Sequence, residues 1–139
     1  MRMRKALLLA AASICLLLAT AVPVAAGEPR IPRVDILGLD GTATGPEGEL
    51  EHIIAIDARD PDGYITEVQV EFSDGGIVFA HTYCVLFGKG ETAHMRIGHS
   101  FPGPGTYEVH ARALSVRECG ARGYQRSRWD VAEVTIPAA

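Results

Sequence analysis

The most regular alternation in the chain runs from Glu67 to Phe72. Val68, Val70 and Phe72 fall on one side, and Glu67, Gln69 and Glu71 on the other. That period of two predicts a strand with one face in water. Ser73-Asp-Gly-Gly76 then predicts a hairpin turn, and the apolar residues 77–86 predict its returning strand. Upstream, residues 34–39 predict a first strand, 40–49 with their glycines and Pro46 a loop, and 50–57 a strand apolar on both faces. Downstream, 92–99 carries Met95 and Ile97 on one face, and Phe101-Pro-Gly-Pro-Gly105 makes a rigid corner. From there Tyr107, Val109, Ala111 and Ala113 alternate with Glu108, His110 and Arg112. Residues 117–128 form a loop rich in Gly and Arg, and 129–136 a last strand. No segment shows helical periodicity. The pattern predicts an all-β fold, a two-sheet β-sandwich of about seven short strands.

The first residues do not belong to that pattern. Arg2, Arg4 and Lys5 precede an almost unbroken apolar run over 6–21, and Val24-Ala25-Ala26 before Gly27 fits a signal-peptidase site. Residues 1–26 are predicted to be a secretory signal cleaved after Ala26, and 27–139 a single domain with its core over 34–136. The apolar run is short for a membrane span, and no later stretch is long enough for one.

Charge and cysteines sharpen this picture. The chain has a formal charge of −4, and loss of the leader removes three basic residues and no acidic one. A secreted, acidic domain is a poor fit for nucleic acid, whose binding runs on surplus Lys and Arg. Cys15 leaves with the leader, so Cys84 and Cys119 have only each other in an oxidising compartment. They are predicted to form one disulfide.

Asp62-Gly-Tyr-Ile65, Val70-Glu-Phe-Ser-Asp-Gly75 and His99-Ser-Phe-Pro-Gly-Pro-Gly-Thr-Tyr-Glu-Val109 together resemble the PKD domain family. The match covers roughly 34–136, with the family's motifs in order. It departs at Val70, where Trp is usual, at Glu71 for Asp and at Ser73 for Gly. The resemblance implies an immunoglobulin-like sandwich without catalytic machinery, used for adhesion, spacing or ligand binding in secreted and cell-surface proteins. In such a sandwich Tyr107 enters the core while its hydroxyl caps backbone. The strand from Tyr107 pairs with 68–72, and the disulfide holds the 117–128 loop near the Asp57–Gly63 turn.

Three constellations could carry chemistry. Asp57, Asp60 and Asp62 offer alternating oxygens for calcium, as some PKD-like domains hold near this turn, but calcium takes 6–8 oxygens. The competing reading is a β-turn whose aspartates bond nearby backbone. His81, His94, His99 and His110 fall on different strands, too scattered for a zinc centre. The third is the 117–128 loop, where Arg122, Tyr124, Arg126, Arg128 and the adjoining Trp129 are the residue types of binding hot spots. Internal pairing of those arginines with the 57–62 turn, with Trp129 in the core, is the alternative. No Gly-x-Ser-x-Gly elbow is present, and the disulfide would remove a thiol nucleophile. The expected role is non-enzymatic recognition of a protein or carbohydrate at the cell envelope or outside the cell, without a cofactor unless calcium binds. The alternative is a calcium-stabilised structural module of a surface assembly, with Asp57, Asp60 and Asp62 as ligands. Free sheet edges also allow self-association.

Overall fold

The computed structural model describes residues 30–84 and 86–139; the predicted leader lies outside them. Eight strands follow one another: β1 (Arg33–Thr44), β2 (Leu50–Arg59), β3 (Tyr64–Phe72), β4 (Ile77–His81), β5 (Thr92–His99), β6 (Gly105–Val116), β7 (Gln125–Arg126) and β8 (Asp130–Ile136). They make a three-stranded sheet ordered β1-β2-β5 and a five-stranded sheet. In the second, β6 lies beside β3, and β3 beside β4, while β7 and β8 pair with successive stretches of β6. Every pairing is antiparallel. No described residue is helical.

The alternation read from the sequence decides what is buried. Ile54 and Ile56 of β2, with Ala93, Met95 and Ile97 of β5, come from one sheet. Val68, Val70 and Phe72 of β3, with Val109, Ala111 and Ala113 of β6, come from the other. All join one apolar cluster, and each buried Val, Ile or Phe contributes about 1.5–3 kcal/mol. The predicted pairing of β3 with β6 is present, with Val70 opposite Ala111. So is the disulfide between Cys84 and Cys119, with Cα atoms 5.9 Å apart.

Four sequence expectations need correction. Residues 40–44 are strand rather than loop, because β1 continues to Thr44 through two register shifts, after Ile36 and after Leu39. Gly38 and Gly41 take positive φ there, so the glycines bend the strand without ending it. The returning strand stops at His81 instead of 86. Thr82 turns away, its amide bonding the Thr66 carbonyl and its hydroxyl the Ile65 carbonyl. The 117–128 loop holds a short strand, β7, which brings the total to eight. Finally, Trp129 precedes β8 instead of opening it. Ser127 replaces a ladder step, its amide bonding the Ala113 carbonyl and its hydroxyl accepting from the Ala113 amide.

Candidate functional site

Register places most of the chain's cations at one end. Arg33, Arg59 and Thr92 are partners across β1, β2 and β5, and Tyr64 faces Val116 across β3 and β6. That end therefore gathers the start of β1, the 60–63 turn, the 82–91 segment and the 117–129 loop. It is called the loop end below.

Asp60-Pro-Asp-Gly63 is the anchor of this end. Asp60 is buried, and its carboxylate accepts from the Asp62 amide at 2.9 Å and from the buried Ser115 hydroxyl at 2.5 Å. Asp62 accepts from the Arg30 amide at 3.1 Å, which ties the lead-in segment to the turn. Gly63 has no room for a side chain, since a Cβ would lie 2.6 Å from the Val116 carbonyl oxygen. Asp57 is engaged separately, with Oδ1 2.6 Å from His94 Nδ1. The three aspartates singled out for calcium are thus engaged by three separate sets of partners. No group of three or more His, Cys, Asp or Glu side chains suited to a metal occurs among the described residues.

The sequence-predicted binding residues do not form one patch. Arg122 and Tyr124 line a hollow of about 300 Å³ with Arg117 and Val116. Arg126 pairs with Leu114 on the exposed side of the five-stranded sheet. Arg128 and Trp129 border a different cavity, of about 650 Å³, lined also by Arg30, Ile31, Pro32, Arg33, Val34, Asp35, Pro61 and Asp130. A groove of about 440 Å³ shares Arg30, Arg33, Asp35 and Pro61 with it and extends to Asp57, Arg59 and Thr92. Sequence reasoning missed Arg30 and Arg33. They sit in a lead-in with no periodicity, and only the approach of β1 to β8 brings them beside Arg128.

Internal pairing of the arginines, the competing expectation, is not what the fold does. The ion pairs among the described residues involve Lys89, Arg96 and the four histidines named above. Lys89 meets Glu118 at 2.7 Å, and that hydrogen bond raises the ammonium pKa. Arg59 donates to the Gly90 carbonyl. Arg30, Arg33, Arg122 and Arg128 have no carboxylate within salt-bridge distance among the described residues.

Trp129 does not enter the core either. It is 39% exposed, and the Arg112 guanidinium lies 4.6 Å from its ring centroid. Arg112 donates to Gln69 Oε1, and Gln69 donates to Glu71. Gln69, expected in water, is only 9% exposed because it lies between its cross-strand partners Phe79 and Arg112. This face of the sheet carries a row of Phe79, Gln69, Arg112 and Trp129.

The opposite end, around the 73–76 hairpin, is closed. His99 stacks on Phe72 with ring centroids 3.9 Å apart and planes within 3°, and Phe101 packs edge-on against both. The Tyr107 ring lies on Phe101, and its hydroxyl donates to the Gly103 carbonyl at 2.8 Å, the expected cap. His99 Nε2 meets Asp74 at 2.6 Å. The Asp74 backbone is exposed at the turn, but its side chain is only 12% exposed. Burial alone would raise its pKa; the Gly76 amide, the His99 hydrogen bond and the His99 charge outweigh burial and hold it below the ordinary carboxyl value.

No family model, curated protein or solved structure matches the chain.

Proposed function

We propose that this is a non-enzymatic, PKD-like binding module that acts at the cell envelope or outside the cell and takes a protein or glycan partner at its loop end. The cavity between β1 and β8 carries this reading. It gathers Arg30, Arg33 and Arg128 beside a part-exposed Trp129. Among the described residues none of the three arginines forms an ion pair, although Asp35 and Asp130 share the lining. Unpaired arginines and an accessible indole in a concavity are the usual anchors of recognition. The disulfide and the buried Asp60 turn hold the surrounding loops, which lowers the entropy lost on binding. Export is supported by the signal-like residues 1–26 and by the disulfide itself.

The test is affinity capture from secreted and envelope material with the exported, processed protein. A wild-type bait is compared with one carrying Arg30→Ala, Arg33→Ala and Arg128→Ala, and with one carrying Arg122→Ala and Arg126→Ala. The first triple substitution is expected to abolish capture and the double substitution to spare most of it. Equal capture by all three baits would move the binding surface off this end.

A further inference from the structure

The charges lining the cavity distinguish among ligands. Arg33 stands directly opposite Arg59 across β1 and β2, a pairing of like charges that is unfavourable in itself, with Arg59 donating to the Gly90 carbonyl and the Asp35–Asp57 pair two positions along. Arg30 and Arg128 border the same space. Guanidinium forks match a planar carboxylate through paired N–H donors. Two acidic residues also line the cavity. One oxygen of Asp130 is occupied by the Ile36 amide at 2.7 Å. Asp35 has no hydrogen-bond partner among the described residues, and its cross-strand neighbour Asp57 is held by His94. A free carboxylate beside arginines would oppose a bare anion, yet it suits hydroxyl donors. The remaining wall is apolar, with Ile31, Pro32, Pro61 and Trp129. Arginines, one hydroxyl acceptor and an indole together fit a ring bearing both hydroxyls and a carboxylate.

We infer that the cavity binds a uronic-acid unit of an acidic glycan, a reading that rests on the binding role proposed above. The sugar ring lies against Trp129, its carboxylate meets Arg33 and Arg128, and its hydroxyls donate to Asp35. A volume of about 650 Å³ is within the usual range of small-ligand sites. The adjoining groove, reached past Arg30 and Arg33, continues toward Arg59 and supplies room and charge for a second unit. The site is therefore suited to a polymer with a carboxylate on each ring. Nucleic acid is disfavoured by the acidic balance of the chain as a whole.

Trp129 is the only tryptophan in the chain and lines this cavity, so its fluorescence reports on it together with the Arg112 face that the ring also touches. The exported, processed protein is titrated with oligogalacturonate, its fully methyl-esterified form, sulfated dextran oligomers and polyglutamate at one ionic strength. Oligogalacturonate is expected to give a saturable change in Trp129 emission that the esterified form does not give. Arg33→Ala and Arg128→Ala should each weaken binding roughly tenfold, as loss of a charged hydrogen bond requires. Arg96→Ala, which removes an equal charge away from the cavity, should leave it unchanged, and melting curves of all three variants verify the fold. Equal binding of the esterified oligomer, or of sulfated dextran or polyglutamate, would overturn the uronate assignment. So would the absence of any saccharide response, and if arginine-dependent capture of a partner persisted, the broader binding role would still stand.

Discussion

The two ends of the molecule are built on opposite terms. Around the 73–76 hairpin, aromatic rings stack on one another, His99 meets a carboxylate, and the Tyr107 hydroxyl caps a carbonyl. The exception is His52 Nδ1, buried there without a hydrogen-bond partner. At the loop end Asp60, Ser115 and the disulfide hold the backbone, and Lys89 pairs with Glu118. Arginines there line open cavities together with Asp35 and Asp130, yet none forms an ion pair among the described residues. The closed end joins its His99 and Asp74 to each other, whereas at the loop end Lys89 meets Glu118 but the arginines beside the cavities join no carboxylate among the described residues. That difference is the reason for the binding role proposed above.

The comparison can be broken first at the closed end. Phe72 is 4% exposed and supports His99 and Phe101, so Phe72→Ala should cost about 3–5 kcal/mol in denaturant unfolding. A loss below about 1 kcal/mol would mean that the aromatic stack is incidental. At the loop end, joint Cys84→Ser and Cys119→Ser replacement should cost about 3–4 kcal/mol, because the bridge spans 35 residues. Its partner-binding loss should exceed what the same destabilisation produces at Phe72. Asp60→Ala comes next, at about 1–3 kcal/mol, since it leaves the Asp62 amide and the Ser115 hydroxyl unpaired. Urea midpoints measured side by side rank these variants.

The smaller effects concern charge. Asp74 is held below its ordinary value, so the stability it contributes is present above the unfolded carboxyl value of about 4 and is lost as pH falls through the lower folded value. Asp74→Asn should therefore lower the melting temperature at neutral pH and match wild type in strong acid. A difference that grew on acidification would refute the assignment. Arg33→Ala should cost almost nothing, and relief of its opposition to Arg59 should offset what packing it loses. A clear destabilisation by Arg33→Ala would show that the loop end is matched after all, and would remove the contrast between the two ends.

Much of the architecture was legible along the chain. The alternation over 67–72 and 107–113 put Val68, Val70, Phe72, Val109, Ala111 and Ala113 in the core, where they are. Where reading failed, the cause was a long-range partner. Glycines at 38 and 41 look like a loop until β2 supplies a ladder that tolerates bulges. Residues 82–86 look like a strand until Thr82 bonds back to Thr66 and Ile65. The residues around the β1–β8 cavity were half legible: Arg128 and Trp129 stood out by type, whereas Arg30 and Arg33 sat in a segment without pattern.

The sequence by itself determined the strand periods, the turns at 60–63 and 73–76, and the pairing of Cys84 with Cys119. Those depend on residue type and local geometry, which the chain carries wherever it lies in space. Only the tertiary structure decided which charges would meet. Closing β1 against β8 placed Arg30 and Arg33 beside Arg128 and Trp129, and the buried Asp60 was taken up by Ser115, 55 residues away. Contacts of that kind depend on sheet register, and register is settled by the packing of the core as a whole.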